Sequence, residues 1–436
     1  MRYLKQLIYE MRHQKMMTWI SIIGTAVSIF LVMVFFMVGN LSTVEVAPET
    51  DRHLIYGSPS LAVEVIRGEK NGWRNEGGYN YSYAKKLFDN LEGVEAVSYT
   101  DYLPYERSVI VDGKVPIAAN IKIVDGEFWN IYDFRFIHGR SFTEDECLNT
   151  SHTPIVITEQ LARRLFGNTD VIDSEISVDG ATYYVMGVVE NTNAIFKNSY
   201  SEGYVPLGAE ARSYSRGVGP EFEAVSDITA MLKLSESTDP ADVQRQIDSR
   251  VAVLNTQLDK FDSKANVGSL QSPEEMGALK APNTMVADVG KRRYLVYILL
   301  LLLPAINLSS MMRGRLQDRI SEIGVRRAYG ARRKNIVLQL LGENFIVTIA
   351  GGFIGLLLSY LFMIFLSSSV ISMVDVWWIS SLDVKMATPT FGMLFTWKAF
   401  AIAVGACLVL NILTASVPAW RASSIPPALA ISKSKN

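Results

Sequence analysis

The residues best suited to chemistry lie in a basic segment, residues 319–330, which reads RISEIGVRRAYG. Between positions 313 and 334 there are eight arginines and lysines but only two acids, Asp318 and Glu322. Long apolar runs flank this block on both sides. Basic residues beside membrane-spanning runs stay on the cytoplasmic side and attract anionic groups there. The chemistry expected of the segment is therefore ionic docking to a cytoplasmic surface.

Helical spacing makes the same segment amphipathic. Ile320 and Ile323 fall on one helix face, while Glu322 and Arg326 form an i,i+4 ion pair on another. Gly330 is placed to end this helix before the next one begins. Such a helix is predicted to insert its apolar ridge into a groove of a partner protein. The alternative is a basic loop that only binds anionic lipid and fixes the topology.

No other cluster of reactive side chains predicts catalysis. The four histidines and the two cysteines have no metal-site spacing, and Cys147 is expected to be a small buried residue. Glu144, Asp145 and Glu146 are predicted to form a solvated cluster that starts a helix. The sequence has no G-x-x-x-x-G-K-[ST] phosphate loop and no nucleophile elbow of a hydrolase. It therefore predicts a protein that is not an enzyme, binds no cofactor directly and holds no metal.

The composition indicates a membrane protein. Of the 436 residues 49% are hydrophobic, and the net charge of −2 hides a crowding of basic residues beside the apolar runs. No basic surface remains for nucleic acid. Four apolar runs are long enough to cross a bilayer, at residues 16–38, 294–312, 345–366 and 399–417. The third contains Gly351 and Gly355 in G-x-x-x-G spacing, which predicts close helix packing either within one subunit or across a dimer.

The charges that flank these runs predict that both termini are cytoplasmic. Four basic residues precede the first run, and acidic residues follow it. The basic residues 291–293 lie on the outer side of the second run, but the eight on its inner flank outnumber them. The predicted segments are a cytoplasmic stretch at 1–15, an outer domain at 41–293, a cytoplasmic coupling segment at 313–344, an outer loop at 367–398 and a cytoplasmic tail at 418–436.

Residues 41–293 are predicted to fold as one α+β domain or a pair of domains, because strand and helix signals alternate along them. Hairpins are expected at 108–117 and 175–189, closed by Asp112-Gly113 and Asp179-Gly180. Helices are expected at 83–91, 158–165 and 240–258, the last of them starting at Asp239-Pro240.

Three motif regions resemble the MacB-type permeases of ABC transporters. The first lies between 124 and 189, with matches at Phe128, Gly139, Arg140, Phe142, 155–157, Leu165, Phe166, Gly167, Gly187 and Val188. The second is an E-I-G-x-R-[RK]-A-x-G-A pattern at 322–331, and the third is a proline- and alanine-rich pattern at 418–429. The resemblance implies four transmembrane α-helices with a large extracytoplasmic α+β domain inserted between the first two.

The resemblance also implies a permease subunit of the bacterial inner membrane that transmits motion to its periplasmic domain. Since the phosphate loop is missing, ATP and magnesium are expected in a separate ABC ATPase subunit. The residues expected to couple the two subunits are Glu322, Ile323, Gly324, Arg326, Arg327 and Gly330.

The other expected partners are membrane lipid and a second permease in a homo- or heterodimer, and a periplasmic adaptor or outer-membrane channel is left open. The substrate classes implied are a peptide, a lipoprotein, an amphiphile or a drug, with no direction of transport assigned. The alternatives are an FtsX-like regulator of cell-wall hydrolases and an envelope sensor.

Overall fold

The computed structural model describes residues 15–41, 44–65, 74–148, 151–208, 212, 223–278, 325 and 328–374, and one to three residues at a time between 393 and 420. The chain divides into two compact units. The membrane unit comprises Met1–Leu41 and Pro282–Asn436, and the outer unit comprises Ser42–Ala281. The predicted spans at 294–312 and 399–417 lie outside the described residues, apart from isolated positions in the second of them.

Among the described residues the α-helices, in chain order, are α1 Lys15–Leu41, α2 Tyr81–Phe88, α3 Phe128–Ile131, α4 Glu159–Phe166, α5 Pro240–Leu258, α6 Pro273–Ala278 and α7 Arg333–Val374. The strands are β1 Ile55–Ser58, β2 Leu61–Val65, β3 Arg74–Tyr79, β4 Val94–Asp101, β5 Tyr105–Ile110, β6 Ile117–Val124, β7 Phe136–Gly139, β8 Pro154–Thr158, β9 Glu175–Val178, β10 Ala181–Val189, β11 Gly203–Pro206, β12 Val225–Ser226, β13 Ile228–Leu234 and β14 Ser263–Val267.

Two helices of the described part of the membrane unit are long and apolar enough to cross a bilayer. The spans are Thr18–Met37 in α1 and Phe345–Leu366 in α7, of 20 and 22 residues. In α1 the exposed face is apolar, whereas hydroxyl side chains lie on the buried face. Thr25 Oγ1 donates to the Ser21 carbonyl at 2.8 Å, so this buried hydroxyl is satisfied inside its own helix. An apolar exterior over a partly polar interior is the arrangement that lipid favours.

The first sheet of the outer unit, sheet A, is antiparallel throughout. Its strand order is β1-β13-β3-β2-β14, with β4 also paired to β13 and β12 to β3. Helices α2 and α5 cover it, and the buried side chains of α5 are Val243, Ile247, Val251, Leu254 and Leu258. Asp239 caps α5 by accepting from the Ala241 N–H at 2.9 Å, and Pro240 occupies the first turn. The predicted bounds of this helix are confirmed.

The second sheet, sheet B, closes on itself. Its order is β7-β10-β8-β11-β6-β5-β9, and β9 pairs again with β10. The predicted hairpin at 175–189 is confirmed: Val178 pairs with Ala181 across a turn in which Asp179 and Gly180 both have positive φ. Helix α4 packs against this sheet and ends at Gly167, whose φ of +84° matches its predicted role after the helix.

The hairpin at 108–117 has a wider turn than the sequence predicts. β5 ends at Ile110 and β6 begins at Ile117, so Asp112 and Gly113 lie in a six-residue connection between them. Pro116 has no N–H to give to the strand ladder, which explains why pairing resumes only at Ile117. The helix predicted at 83–91 is α2, which begins two residues earlier and ends at Phe88. It begins earlier because Asn80 caps its start by accepting from the Ser82 N–H at 3.0 Å.

Sheets A and B share a third core in which aromatic rings predominate. Trp129, which is partly buried, packs against this core, and the ring centroids of Phe134, Phe142 and Tyr204 lie within 5.5 Å of its own. Phe128 packs on the same Tyr204 ring at 5.6 Å. Two of the aromatic residues in the first sequence motif, Phe128 and Phe142, are therefore core residues that hold this part of the outer unit together.

Candidate functional site

The small-residue face of α7 packs directly on α1. A Cβ atom added at Gly351 would lie 2.8 Å from the Thr25 Cβ, and one added at Gly355 would lie 2.6 Å from the Ala26 carbonyl oxygen. Real Cβ contacts are not this short, so any larger residue at either position would force the helices apart. The structure thus places the G-x-x-x-G face against another helix of the same subunit.

The contacts along this helix pair show that α1 and α7 run in the same direction. Gly351 lies against Ile22 and Thr25, and further along α7 Gly355 lies against Ala26. Nearer the far ends, the Phe30 and Phe362 rings meet edge to face with centroids 5.4 Å apart. Residue numbers rise together on both helices, which is possible only in a parallel pair.

The turn before α7 contains part of the predicted coupling segment. Val325 and Ala328 are helical, and the Tyr329 N–H donates to the Val325 carbonyl at 3.1 Å. Gly330 follows with φ of +90°, which ends this helical turn as the sequence predicts. The predicted coupling residues Glu322, Ile323, Gly324, Arg326 and Arg327 lie outside the described residues.

The structure adds two apolar side chains to this segment that sequence reasoning missed. Val325 is 43% exposed and Tyr329 is 90% exposed, and they are four residues apart on one helical turn. Residues at i and i+4 share a helix face. The i,i+4 spacing of Val325 and Tyr329 was visible in the sequence. The prediction instead assigned the apolar ridge to Ile320 and Ile323, which fall on a different face of an ideal helix.

Helix α7 joins the coupling segment to the membrane without a break. It starts at Arg333, twelve residues before the apolar span begins at Phe345, and runs on to Val374. A helix of 42 residues is about 63 Å long. It therefore includes parts of the predicted coupling segment, the third span and the following outer loop in one rod.

A buried polar joint connects the two sheets of the outer unit. Asp125, at the end of β6 in sheet B, accepts from the Ser98 hydroxyl and the Tyr99 N–H of β4 in sheet A, both at 2.7 Å. The Phe128 N–H donates to the same carboxylate at 3.0 Å. Burial raises the pKa of Asp125 to about 7, although the three donors oppose this shift. Nothing in the sequence marks this aspartate, since its partners on β4 are more than twenty residues away.

A second buried pair lies at the same joint. Lys122 on β6 is buried and donates to the Asn198 carbonyl at 2.6 Å. Asp101, the last residue of β4, is also buried, and one of its carboxylate oxygens has no hydrogen-bond partner among the residues that the structure describes. Burial raises the pKa of Asp101 to about 7 and lowers that of Lys122 to about 8, while their mutual attraction opposes both shifts.

Two acids of the cluster after the GRSFT motif, Glu144 and Glu146, are ion-paired, while Asp145 is exposed as the prediction of a solvated cluster has it. Glu146 accepts from both Arg140 guanidinium nitrogens, at 2.7 and 2.8 Å, and from the Thr143 N–H at 2.9 Å. The hydrogen bonds from Arg140 lower the pKa of Glu146 to about 2. Glu144 pairs with Arg212 at 2.8 Å. The predicted helix start is confirmed, since a 3-10 helix runs over Glu146–Leu148. The prediction missed the two cations: Arg140 lies six residues before Glu146, and Arg212 reaches Glu144 through the tertiary structure.

Comparisons with known proteins agree with this architecture. Residues 18–250 match the family model of the MacB-like periplasmic core domain. Residues 294–427 match the FtsX-like permease C-terminal model. The chain is a MacB/FtsX-like ABC permease. It is a membrane permease with a periplasmic core domain, and the outer unit falls largely within the first match.

Curated relatives of the permease include the macrolide export ATP-binding/permease protein MacB of Escherichia coli O157:H7 and of strain K12. Each is 26% identical over 249 residues, which is 57% of this chain and 36% of the relative. The aligned part thus spans little more than a third of those longer proteins.

Three solved structures also resemble part of the permease. The first is a domain of a putative permease from Porphyromonas gingivalis, with 14% identity and a TM-score of 0.38 over 50% of this chain and 89% of that one. The second is the periplasmic region of MacB from Actinobacillus actinomycetemcomitans, with 15% identity and a TM-score of 0.31 over 49% of this chain and 90% of that one. The third is the extracellular domain of the noncanonic ABC-type transporter YknZ from Gram-positive bacteria, with 13% identity and a TM-score of 0.30 over 48% of this chain and 99% of that one.

Proposed function

We propose that this permease transmits the ATP-driven motion of a separate ATPase subunit across the inner membrane to its periplasmic domain. The motion serves export or extraction of a peptide, lipoprotein, amphiphile or drug. ATP and magnesium are bound by the partner, and the permease itself is not an enzyme. The permease acts as a homo- or heterodimer with both termini in the cytoplasm, and an adaptor or outer-membrane channel would extend the same path.

The continuity of α7 carries this proposal. Val325 and Tyr329 present an exposed apolar pair next to Gly330, and α7 begins three residues later with Arg333 and Lys334. A partner that moves this turn moves the whole rod, because helices are stiff along their axis. Gly355 then passes the displacement to α1 through close packing. The outer unit follows α1 directly in the chain.

The parallel packing of α1 and α7 supports the predicted return crossing between them. Two parallel spans start on the same side of the membrane. The chain that connects the end of α1 to the start of α7 must therefore cross the membrane an odd number of times. The predicted span at 294–312 supplies one such return after the outer unit. Positive charge at the start of both helices, Lys15 and Arg333, supports a cytoplasmic location for these starts.

Two other functions use the same architecture. An FtsX-like regulator would also bind an ATPase, but its periplasmic domain would act on a cell-wall hydrolase. An envelope sensor would bind a ligand outside and need no ATPase. Capture of an ATPase excludes the sensor, and ATP-dependent release of an amphiphile or peptide from the membrane separates a transporter from a hydrolase regulator.

The test is an affinity pull-down of the tagged permease from native membranes in mild detergent. We expect an ABC ATPase to co-purify with the wild type and to be lost from the Arg326→Glu/Arg327→Glu variant at an unchanged membrane level. The matched control is Lys433→Glu/Lys435→Glu, which makes the same charge change in the cytoplasmic tail and should retain the ATPase. Absence of any ATPase with the wild type would overturn the proposal.

A further inference from the structure

A groove on the outer unit combines apolar walls with cations. It lies between α2 and α5 and has a volume of about 380 Å³, within the range of roughly 300–1,000 Å³ that is typical of small-molecule sites. The residues that define it are Tyr83, Lys86 and Leu87 from α2 and Arg250, Val253 and Leu254 from α5.

The groove exposes more apolar surface than core packing requires. Leu87 and Leu254 are nearly buried and belong to the core under sheet A. Val253 does not lie on the core-facing side of α5 and is 63% exposed. Tyr83, half-buried, forms the facing wall. A bound apolar chain would cover the Val253 and Tyr83 side chains and recover the free energy of removing them from water.

The polar side of the groove is positively charged. The Arg250 guanidinium donates to the carbonyl oxygens of Asp89 at 2.6 Å and Asn90 at 3.0 Å, so it is fixed at the end of α2. The Lys86 ammonium lies 5.0 Å from the centre of the Tyr83 ring. Neither contact involves a carboxylate, and the Asp89 carboxylate pairs with Lys85 instead, at 3.4 Å.

Acidic residues do not line the groove among the residues that the structure describes. Glu223 acts on it from outside, since burial and then Glu223 raise the pKa of Tyr83. Lys86 and Arg250 therefore give the groove a positive charge beside its apolar side chains. That pattern is complementary to a molecule with an anionic head and an apolar tail.

We propose that the groove between α2 and α5 binds an anionic amphiphile, with its head group between Lys86 and Arg250 and its alkyl chain along Tyr83, Val253 and Leu254. This rests on the proposed transport function and deepens it, since it selects anionic amphiphiles from the substrate classes named above. A peptide that docks through acidic side chains is the competing occupant, and the test separates the two.

The test is photo-crosslinking to the full-length permease in amphipol, with a twelve-carbon carboxylate that carries a diazirine in its chain. A matched probe has a trimethylammonium head on the same chain. Mass spectrometry locates the labelled residues. We expect the carboxylate to label the segments 83–87 and 249–257, and the trimethylammonium probe to label them about tenfold less, because reversing the head-group charge costs on the order of 1.4 kcal/mol.

Four variants decide the proposal. Lys86→Glu and Val253→Asp should each reduce labelling about tenfold, whereas Lys85→Glu, one residue away and paired with Asp89 outside the groove, should leave it unchanged. Lys86→Arg should restore labelling, which separates loss of charge from misfolding. Equal labelling of wild type and Lys86→Glu, or equal labelling by both probes, overturns the proposal, and so does efficient competition by an acidic peptide but not by dodecanoate.

The ATPase pull-down is run on the same preparations. An ATPase retained in the absence of groove labelling would overturn the amphiphile site and leave the transport function standing. Loss of the ATPase in the wild type would overturn the transport function regardless of labelling.

Discussion

The Ser98 hydroxyl lies 2.7 Å from the Asp125 carboxylate, and the hydrogen bond between them links sheet A to sheet B of the outer unit. The same carboxylate accepts two backbone N–H groups and is buried. A carboxylate that satisfies three donors in a buried position holds both strands in a defined relation. If the outer unit changes shape during the transport cycle, this joint limits how its two sheets can move.

Asp125→Ala is expected to destabilise the outer unit strongly. Three donors lose their acceptor, and each buried unsatisfied donor costs about 1–3 kcal/mol. Ser98→Ala removes one of the three bonds and should cost only about 1 kcal/mol. Unfolding in denaturant, followed by tryptophan fluorescence from the Trp129 cluster, measures both. Similar losses in the two variants would show that Asp125 does not join the sheets in this way.

The pH dependence of stability should reveal Asp101. Burial raises the pKa of Asp101 to about 7, so the folded state retains a proton that the unfolded state releases near pH 3.9. The stabilisation is therefore present below about pH 4 and is lost as the pH rises to about 7. In Asp101→Asn the free energy of unfolding should decrease less over this pH range. It should still decrease somewhat, because the pKa of Asp125 is raised as well.

Denaturant unfolding of the full-length permease at four pH values between 4 and 7 checks this expectation. The control is Asp145→Asn, an exposed aspartate in the acidic cluster. If the free energy of unfolding of Asp101→Asn changed with pH as steeply as that of the wild type, the raised pKa of Asp101 would be contradicted.

Glu146 should behave in the opposite way. Hydrogen bonds from Arg140 lower the pKa of Glu146 to about 2, so the pair stabilises the fold above the unfolded-state pKa of about 4.3 and the stabilisation disappears as the pH falls to about 2. Arg140 is mostly exposed, and solvent screening limits the effect to about 1 kcal/mol. Glu146→Gln, Arg140→Gln and the double variant form a cycle in thermal unfolding. The coupling free energy between Glu146 and Arg140 should be present at pH 7 and absent at pH 2.

The parts of the fold that depend on neighbouring residues were predictable from the sequence. Asp239 and Pro240 define the start of α5, and the apolar period from Val243 onward defines its buried face. Asp179 and Gly180 define a two-residue turn, because few other residues adopt positive φ in succession. In each case the signal and the structure it produces are within a few residues of each other.

The polar joint could not be predicted in the same way. Lys122 bonds to Asn198, 76 residues later, and Glu144 pairs with Arg212. A single lysine or glutamate on a strand is normally exposed, so only the tertiary arrangement shows that Lys122 is buried. For the coupling segment, the pattern predicted an amphipathic turn that ends at Gly330, but it did not identify the exposed side chain of Tyr329.

Gly355→Ala should destabilise the membrane unit. The added Cβ would lie 2.6 Å from the Ala26 carbonyl oxygen, and overpacking of this kind typically costs about 1–3 kcal/mol. Gly405→Ala is the matched control, because a Cβ at Gly405 meets no atom of the described residues within 4 Å. Thermal unfolding in maltoside detergent compares the two. A larger loss in Gly405→Ala than in Gly355→Ala would contradict the packing of α7 on α1.

Tyr329→Asp should disconnect the permease from its ATPase without unfolding it. Tyr329 is 90% exposed, so its replacement should change the free energy of unfolding by no more than about 0.5 kcal/mol. An exposed tyrosine that becomes buried at a protein interface often contributes about 2 kcal/mol or more to binding, which corresponds to a roughly thirtyfold loss of affinity. The measurement is the amount of ATPase recovered in a pull-down at equal permease levels. Val115→Asp, an 81% exposed apolar residue of the outer unit, should retain the ATPase. Recovery of the ATPase by Tyr329→Asp at the wild-type level would show that coupling does not use this side of the turn, and the docking surface would then have to lie on the face of Ile320 and Ile323.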